Sequence, residues 1–394
     1  MSFKGIKNKL LRFKSVFVTH WISFTIKHPR YNKPYYHSEI KKMMDCGSEA
    51  LGFATFQCLS CGKGEHTVNF SCKGKACPQC GKRYSRESME KIASRLLPGV
   101  NYRQVVLTLP CEFRNIFYNH PQQGALYSEL MSVGHACLEA LIQDLLLCNT
   151  LKIASIVFIH THGRNGSYNP HLHILLGEGG LNPETNQWLP ISYLPLGRLR
   201  LKWQAHLLHF MAARIGDLNG IIKALWVKHP DGFYAHPGNG KKVPTKHYRG
   251  LLKYLIKYLA SPPIGVSRIS CVSDGYVSYY YQSHKSKQRE YERVEAEVFI
   301  GRMVQHILPK GFQRIRYYGL QATASFKKWY EIIAMAVGDL VDGMISYVSR
   351  LKYCDFFREV AGRNPLVCTF CGDDMELIRL YHPDRGVFYD IFAP

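Results

Sequence analysis

The stretch "CLSCGKGEHTVNFSCKGKACPQC" restricts this chain more than any other. It holds Cys58-x-x-Cys61, fifteen intervening residues, and then Cys77-x-x-Cys80. A Cys-x-x-Cys turn offers two thiolates at tetrahedral spacing, and two such turns complete a closed structural zinc site. Cys58, Cys61, Cys77 and Cys80 are therefore expected to hold one structural Zn2+ and to organise a small fold around it. Cys72 is a fifth candidate, either replacing one of the four or simply buried, and His66 is another. Lys63, Lys73, Lys75, Lys82 and Arg83 crowd the same knuckle, so the metal would shape a surface that meets DNA phosphates. A further pair, Cys368 and Cys371 in "CTFCGDDM", is half a site; its partners would be Cys354 or His382, or it holds no metal.

Thirteen cysteines grouped in this way favour metal in a reducing cytoplasm over disulfides in a secreted protein. The charge balance names a ligand class. Lysine and arginine number 51 against 29 acids, a formal net charge of +22, and such an excess favours a polyanion, above all nucleic acid. No uninterrupted apolar run approaches the roughly 18 residues needed to cross a bilayer, which argues against a membrane partner. The first 38 residues contain no acid. They read as a basic arm running into the first helix, because an import peptide would show a small-residue cleavage signal and serine richness.

Pattern changes divide the rest. "SRESMEKIASRLLP" places Met89, Ile92, Ala93 and Leu96 on one helical face ended by Pro98. Tyr102 to Leu109 reads as a buried strand, and "ALYSELMSVGHACLEALIQDLLLC" as a long amphipathic helix. "KIASIVFIHT" and "HLHILLG" follow as two strands joined by the turn-rich "HGRNGSYNP". "LGRLRLKWQAHLLHFMAARIG" and "HYRGLLKYLIKYLASPP" read as helices, and "GYVSYYYQSHKS" and "QRIRYYG" as aromatic and basic strands. From about Thr323 the chain is expected to be helical up to the last cysteine pair.

Within "NPHLHILLGEGG", strand alternation sends His171 and His173 to one face and Leu172 to the other. Two readings fit the pair: core histidines bonded to neighbours, or ligands of one metal ion. His160 and His162 alternate in the same way on the preceding strand, so hairpin pairing can bring either beside them. Three imidazoles would leave coordination positions open, as a catalytic metal requires. In "LLKYLIKYLA", Tyr254 and Tyr258 lie one helical turn apart, about 6 Å along the axis, flanked by Lys253 and Lys257. Taken alone they are as compatible with core or surface tyrosines, of which the chain has 25. Taken with the histidines they describe one reaction: a phenol attacks a DNA phosphodiester while a histidine-held metal orients the phosphate and offsets its charge. The bond energy would stay in the phosphotyrosine, and no Gly-x-x-x-x-Gly-Lys loop for ATP is present.

The "HLH" strand resembles the His-hydrophobic-His signature of HUH single-strand endonucleases, and the chain resembles, more closely, rolling-circle transposases of the insertion sequence 91 family. The matching runs are "SCKGKACPQC", "VVLTLP", "IHTHGRNGSYNPHLHILLGEGG", "YLIKYLASPPIG" and "HILPKGFQRIRYYG", spread over about residues 55 to 320. The resemblance implies that His171 and His173 are metal ligands and that Tyr254 and Tyr258 are nucleophiles. It implies His160 as third ligand, with His162 one alternate position away as the other choice. Lys75 stands where the family's zinc knuckle would carry arginine. The family's usual metal is Mg2+ or Mn2+; histidine ligands by themselves would also suit zinc.

The expectation is thus an α+β protein with four parts. These are a basic arm (1–37), a zinc-binding DNA-contact domain (38–98), a central antiparallel HUH sheet flanked by helices (99–330), and a helical C-terminal region carrying Cys368 and Cys371 (331–394). It would nick single-stranded element ends and join them to target DNA on the bacterial nucleoid in the cytoplasm, with host replication proteins as further partners. "YYYQSHKSKQREYER" would line the single-strand path, bases stacking on rings and phosphates meeting cations. A plasmid relaxase or replication initiator would share the chemistry. A non-catalytic zinc DNA-binding protein would form no covalent adduct.

Overall fold

The two histidine-bearing segments are rich in β-branched and aliphatic residues, and they form the longest strands among the described residues. The computed structural model describes residues 3–74, 77–78, 80–81, 88, 91–216, 218–237, 263–283, 286–337, 354, 358 and 362–393. Along these the elements run α1 (Phe3–Lys27), α2 (Pro34–Asp45), β1 (Phe53–Gln57), β2 (Glu65–Asn69), β3 (Tyr102–Thr108), α3 (Cys111–Asn119), α4 (Gln123–Leu146), β4 (Lys152–His162) and β5 (Tyr168–Asn182). They continue with β6 (Gln187–Pro190), α5 (Leu196–Ile215), α6 (Asn219–Lys228), β7 (Ala235–His236), β8 (Ile269–Ser273), β9 (Tyr276–Gln282) and β10 (Arg289–Glu295). The last are α7 (Ala296–Val304), β11 (Ile315–Gly319), α8 (Phe326–Ala336), β12 (Glu376–His382) and β13 (Gly386–Asp390). The result is a mixed α/β protein with antiparallel sheets.

The central sheet has the order β11-β4-β5-β3-β7, with β6 added to the far end of β5. Its first face carries Val105, Leu107, Val157, Ile159, Leu172 and Ile174, which pack under α4 and α5 against Leu130, Leu138, Trp203 and Leu207. Gly134 lets α4 approach: a Cβ there would lie 2.5 Å from Leu172 Cδ1. On the second face, Ala154, Ile156, Phe158 and Leu175 pack with Ile92, Leu96, Trp329 and Ile333. That cluster covers the sheet towards the start of β4 and stops short of the histidines. Each fully buried aliphatic or aromatic side chain contributes about 1.5–3 kcal/mol, so the sheet between them is firmly held.

A second core joins α1, α2, α7 and β8–β10 through Phe13, Phe17, Trp21, Phe24, Ile40, Met43, Val277, Tyr279, Phe299 and Ile300. The basic N-terminal arm expected from the sequence is therefore a packed helix, because these apolar residues recur at helical spacing along α1 and are buried. The third unit is a four-stranded sheet of order β13-β12-β1-β2, built from both ends of the chain. Here the structure departs from the expected helical C-terminal region. Among the described residues of that region, α8 and the positions Cys354 and Arg358 are helical, and the run from Glu376 to Asp390 is a β-hairpin whose first strand pairs with β1. The reason lies in "ELIRLYH" and "GVFYD", which are β-branched and aromatic and separated by a Gly-containing turn. Among the described residues no helix is long and apolar enough to cross a membrane.

Candidate active site and metal centres

Antiparallel pairing of β4 with β5 places His160 directly opposite His171, and His173 opposite Phe158. On the other side, β3 sets Val106 opposite His173 and Thr108 opposite His171. The three imidazoles thus project from one face, and one ligand nitrogen from each of His160, His171 and His173 lies within 4.8 Å of the others. The Nε2 atoms of His171 and His173 are 3.1 Å apart. His171 Nδ1–H donates to the Asn169 carbonyl at 2.7 Å, which leaves its Nε2 as a lone pair. Gln104 on β3 places its side-chain amide 2.6 Å from His173 Nδ1. His160 Nε2 is buried with no hydrogen-bond partner. An orphaned buried nitrogen beside two oriented imidazoles is the donor set that a divalent cation would satisfy.

Burial pushes all three pKa values down. For His160 the neighbouring His173 and His171 add to burial and hold it well below the ordinary range. His173 is likewise held well below by burial and then by His171. His171 is lowered mainly by burial, its bond to Asn169 pulling the other way. The cluster is therefore neutral near pH 7, which is the ligating form of imidazole.

A bulge between His160 and His162 shifts the register and sets His162 opposite Tyr168. The His162 ring stacks on His160 at 5.4 Å and meets His306 edge-on at 5.3 Å. His306 was not singled out in the sequence. It sits just beyond α7, bonded through Nδ1 to Thr161 Oγ1 (3.0 Å) and through Nε2–H to the Gly166 carbonyl (3.1 Å), so it pins the β4–β5 turn. The run "HILPKGFQRIRYYG", for which the sequence suggested no role, supplies this histidine, Arg314 and β11 on the edge of β4. Spacing offered no signal for His306, since the contact spans 145 residues.

The cysteines are grouped differently from the expected quartet. Cys77 and Cys80 lie with Cys46 and Cys72, while Cys58 and Cys61 lie with Cys368 and Cys371. Cys46 follows α2, and its Sγ is 3.4 Å from that of Cys80. Cys72 Sγ is also 3.4 Å from Cys80 Sγ, and the Cys72 N–H points at Cys46 Sγ. The single site built from Cys58, Cys61, Cys77 and Cys80 is thus replaced by two clusters, because β1 and β2 carry the first pair into the sheet shared with the C-terminus. Each cluster has the four sulfurs of a closed structural site. Neither Cys354 nor His382 belongs to the C-terminal one.

Comparison with known proteins finds transposases. A family model described as "Transposase zinc-binding domain" matches residues 16–109, and one described as "Putative transposase" matches residues 155–328, which include the three histidines. A transposase for insertion sequence element IS801 from Pseudomonas savastanoi pv. phaseolicola is 26% identical over 355 residues, covering 85% of this chain and 82% of its own. By these matches the chain is similar to transposases of the insertion sequence 91 family. A second relative, "Putative transposase y4qJ" of Sinorhizobium fredii, is 27% identical over 340 residues, covering 83% of this chain and 84% of its own. No solved structure matches the chain.

Two further expectations concern residues away from the histidines. Tyr254 and Tyr258 lie outside the described residues, although within the second matched segment. The aromatic and basic run is a hairpin, β9 paired with β10, whose two faces differ. Inward, Tyr279 and Arg302 both bond Glu292, and Tyr281 bonds Glu290, so these acids are occupied. Outward, Tyr280 and Tyr291 rings lie 5.8 Å apart, Arg289 sits over Tyr280 and Arg293 over Tyr276. Arg164 in the β4–β5 turn bonds the Gln282 carbonyl at 3.1 Å, tying this hairpin to the histidine-bearing one.

Proposed function

We propose that this transposase works by rolling-circle strand transfer, cutting one DNA strand through a tyrosine and a metal held by His160, His171 and His173. The observation that carries the reading is the buried, neutral histidine triad with His171 Nε2 freed by the Asn169 carbonyl and His160 Nε2 without a partner. A divalent cation there, Mg2+ or Mn2+, would bind oxygens of the scissile phosphate and offset the charge that builds up on them. Tyr254 or Tyr258 supplies the nucleophile. Its phenolic oxygen gives up a proton and bonds to phosphorus; the bond from phosphorus to the 3′ oxygen breaks, and that oxygen takes a proton. The products are a 5′-phosphotyrosine and a 3′-hydroxyl. Attack of a target 3′-hydroxyl on that linkage reverses the step without ATP, and a second tyrosine allows two strand ends to be held. The outward face of β9 and β10 fits unpaired DNA, whose bases stack on tyrosine rings beside cations. Host replication proteins would act on the strand left behind, in the cytoplasm.

The test is incubation of the full protein with Mn2+ and labelled single-stranded DNA carrying its element end, followed by a denaturing gel. A protein-linked band is expected from wild type and from each single tyrosine variant that keeps the cutting phenol. It should be absent from Tyr254→Phe/Tyr258→Phe and reduced at least 100-fold in His171→Ala. Cutting that persists in the double tyrosine variant would mean that water is the nucleophile and would remove this reading.

A further inference from the structure

The segment matched by the zinc-binding model contains six cysteines, Cys46, Cys58, Cys61, Cys72, Cys77 and Cys80, but only four of them gather within it. Cys58 and Cys61 meet their partners some 300 residues later, outside both matched segments. Cys58 Sγ is 3.4 Å from Cys371 Sγ, and Cys61 Sγ is 3.6 Å from Cys368 Sγ. Sulfurs about 2.3 Å from a shared tetrahedral zinc lie roughly 3.8 Å apart, whereas a disulfide would bring them to about 2.05 Å.

The two turns are built alike. In Cys58-Leu-Ser-Cys61-Gly62 the Gly62 N–H donates to the Cys58 carbonyl at 2.9 Å; in Cys368-Thr-Phe-Cys371-Gly372 the Gly372 N–H donates to the Cys368 carbonyl at 3.0 Å. Both glycines adopt positive φ, +67° and +85°, which only glycine does cheaply. The Cys58 N–H reaches the Gly64 carbonyl and the Cys368 N–H the Asp373 carbonyl, each at 2.8 Å, so each turn closes on itself. The Phe370 N–H points at Cys368 Sγ at 3.4 Å, a donor placed for a thiolate. Gly64 makes the approach possible, since a Cβ there would stand 2.6 Å from Cys368 Sγ. The backbone brings the turns together: β1 ends at Gln57, opposite Glu376 at the start of β12, one residue before Cys58. Four thiolates at these separations repel one another unless a cation sits among them, and an all-sulfur tetrahedral set selects zinc over the hard cation expected at the histidines.

We propose that Cys58, Cys61, Cys368 and Cys371 form a second structural zinc site that ties the C-terminal hairpin to the N-terminal zinc-binding region. The N-terminal region is then incomplete without the segment from Cys368 to Asp390. Zinc would be counted in the full-length protein, washed with EDTA and then treated with a thiol-modifying reagent that releases thiolate-bound metal. Two equivalents per chain are expected from wild type and one from Cys368→Ser/Cys371→Ser, with Cys46→Ser/Cys72→Ser losing the other. Cobalt substitution of the wild type gives a second reading that needs no variant: sulfur-to-cobalt charge-transfer intensity should correspond to two tetrathiolate centres per chain. One equivalent in wild type, two retained by Cys368→Ser/Cys371→Ser, or disulfides between the two turns in protein kept under reductant would each overturn the proposal. The count involves no DNA, so it stands or falls separately from the nicking reaction.

Discussion

At the scale of single residues, the histidine cluster depends on side chains that do not belong to any motif. Gln104 lies on β3, and its side-chain amide Nε2–H donates to His173 Nδ1 at 2.6 Å, which fixes the ring's orientation beside His160 and His171. It is a positioning residue, and Gln104→Leu should weaken Mn2+ binding by roughly 10- to 100-fold, read by electron paramagnetic resonance, with little change in thermal unfolding. His306 makes a different prediction. Burial, with some help from Arg314, lowers its pKa to about 3 against an ordinary value near 6.5. Between those values the unfolded chain binds a proton that the folded chain refuses, so stability falls as the pH drops from 6.5 towards 3. The loss from this one group amounts to up to roughly 5 kcal/mol. Urea titrations at pH 7 and pH 4 should therefore show a smaller pH effect in His306→Gln than in wild type.

At the scale of elements, β5 serves two purposes by alternation. His171 and His173 face the site, while Leu172 is fully buried against α4, where Gly134 makes room for it. Leu172→Ala should cost about 2–5 kcal/mol in chemical denaturation, and its cavity should loosen the histidines on either side. An unchanged midpoint would mean that α4 does not press on this strand as closely as the contact implies. The β9–β10 hairpin divides its faces in the same way, tyrosine hydroxyls and Arg302 occupying the acids inward and rings and arginines facing outward. The acids in "YYYQSHKSKQREYER" blur this split in a linear reading, and only the pairing register separates them from the bases.

At the scale of the whole molecule, an excess of 22 positive charges makes binding to single-stranded DNA steeply salt-dependent. Each phosphate contact adds about 0.7 to the slope of log affinity against log salt. Arg289→Ala/Arg293→Ala should flatten that slope by roughly 1.4 in fluorescence anisotropy titrations; an unchanged slope would exclude the outer face of the hairpin from the DNA path. β1 and β2 share one sheet with β12 and β13, so removal of the chain from Glu376 onward would leave β1 without its β12 partner.

Local chemistry was readable from the sequence. The His-Leu-His strand, the preceding His160, the long helix over α4 and the strand at Tyr102 follow from periodicity, because alternation and helical repeat act between near neighbours. The same holds for each Cys-x-x-Cys turn, whose geometry is set within five residues. What pairs with what was decided by the tertiary structure. Cys58 and Cys61 join Cys368 and Cys371 rather than Cys77 and Cys80, because a strand from one end of the chain hydrogen-bonds to a strand from the other. Cys46, Gln104 and His306 enter their sites from distant elements, and no spacing rule reports a contact that only sheet register and core packing create.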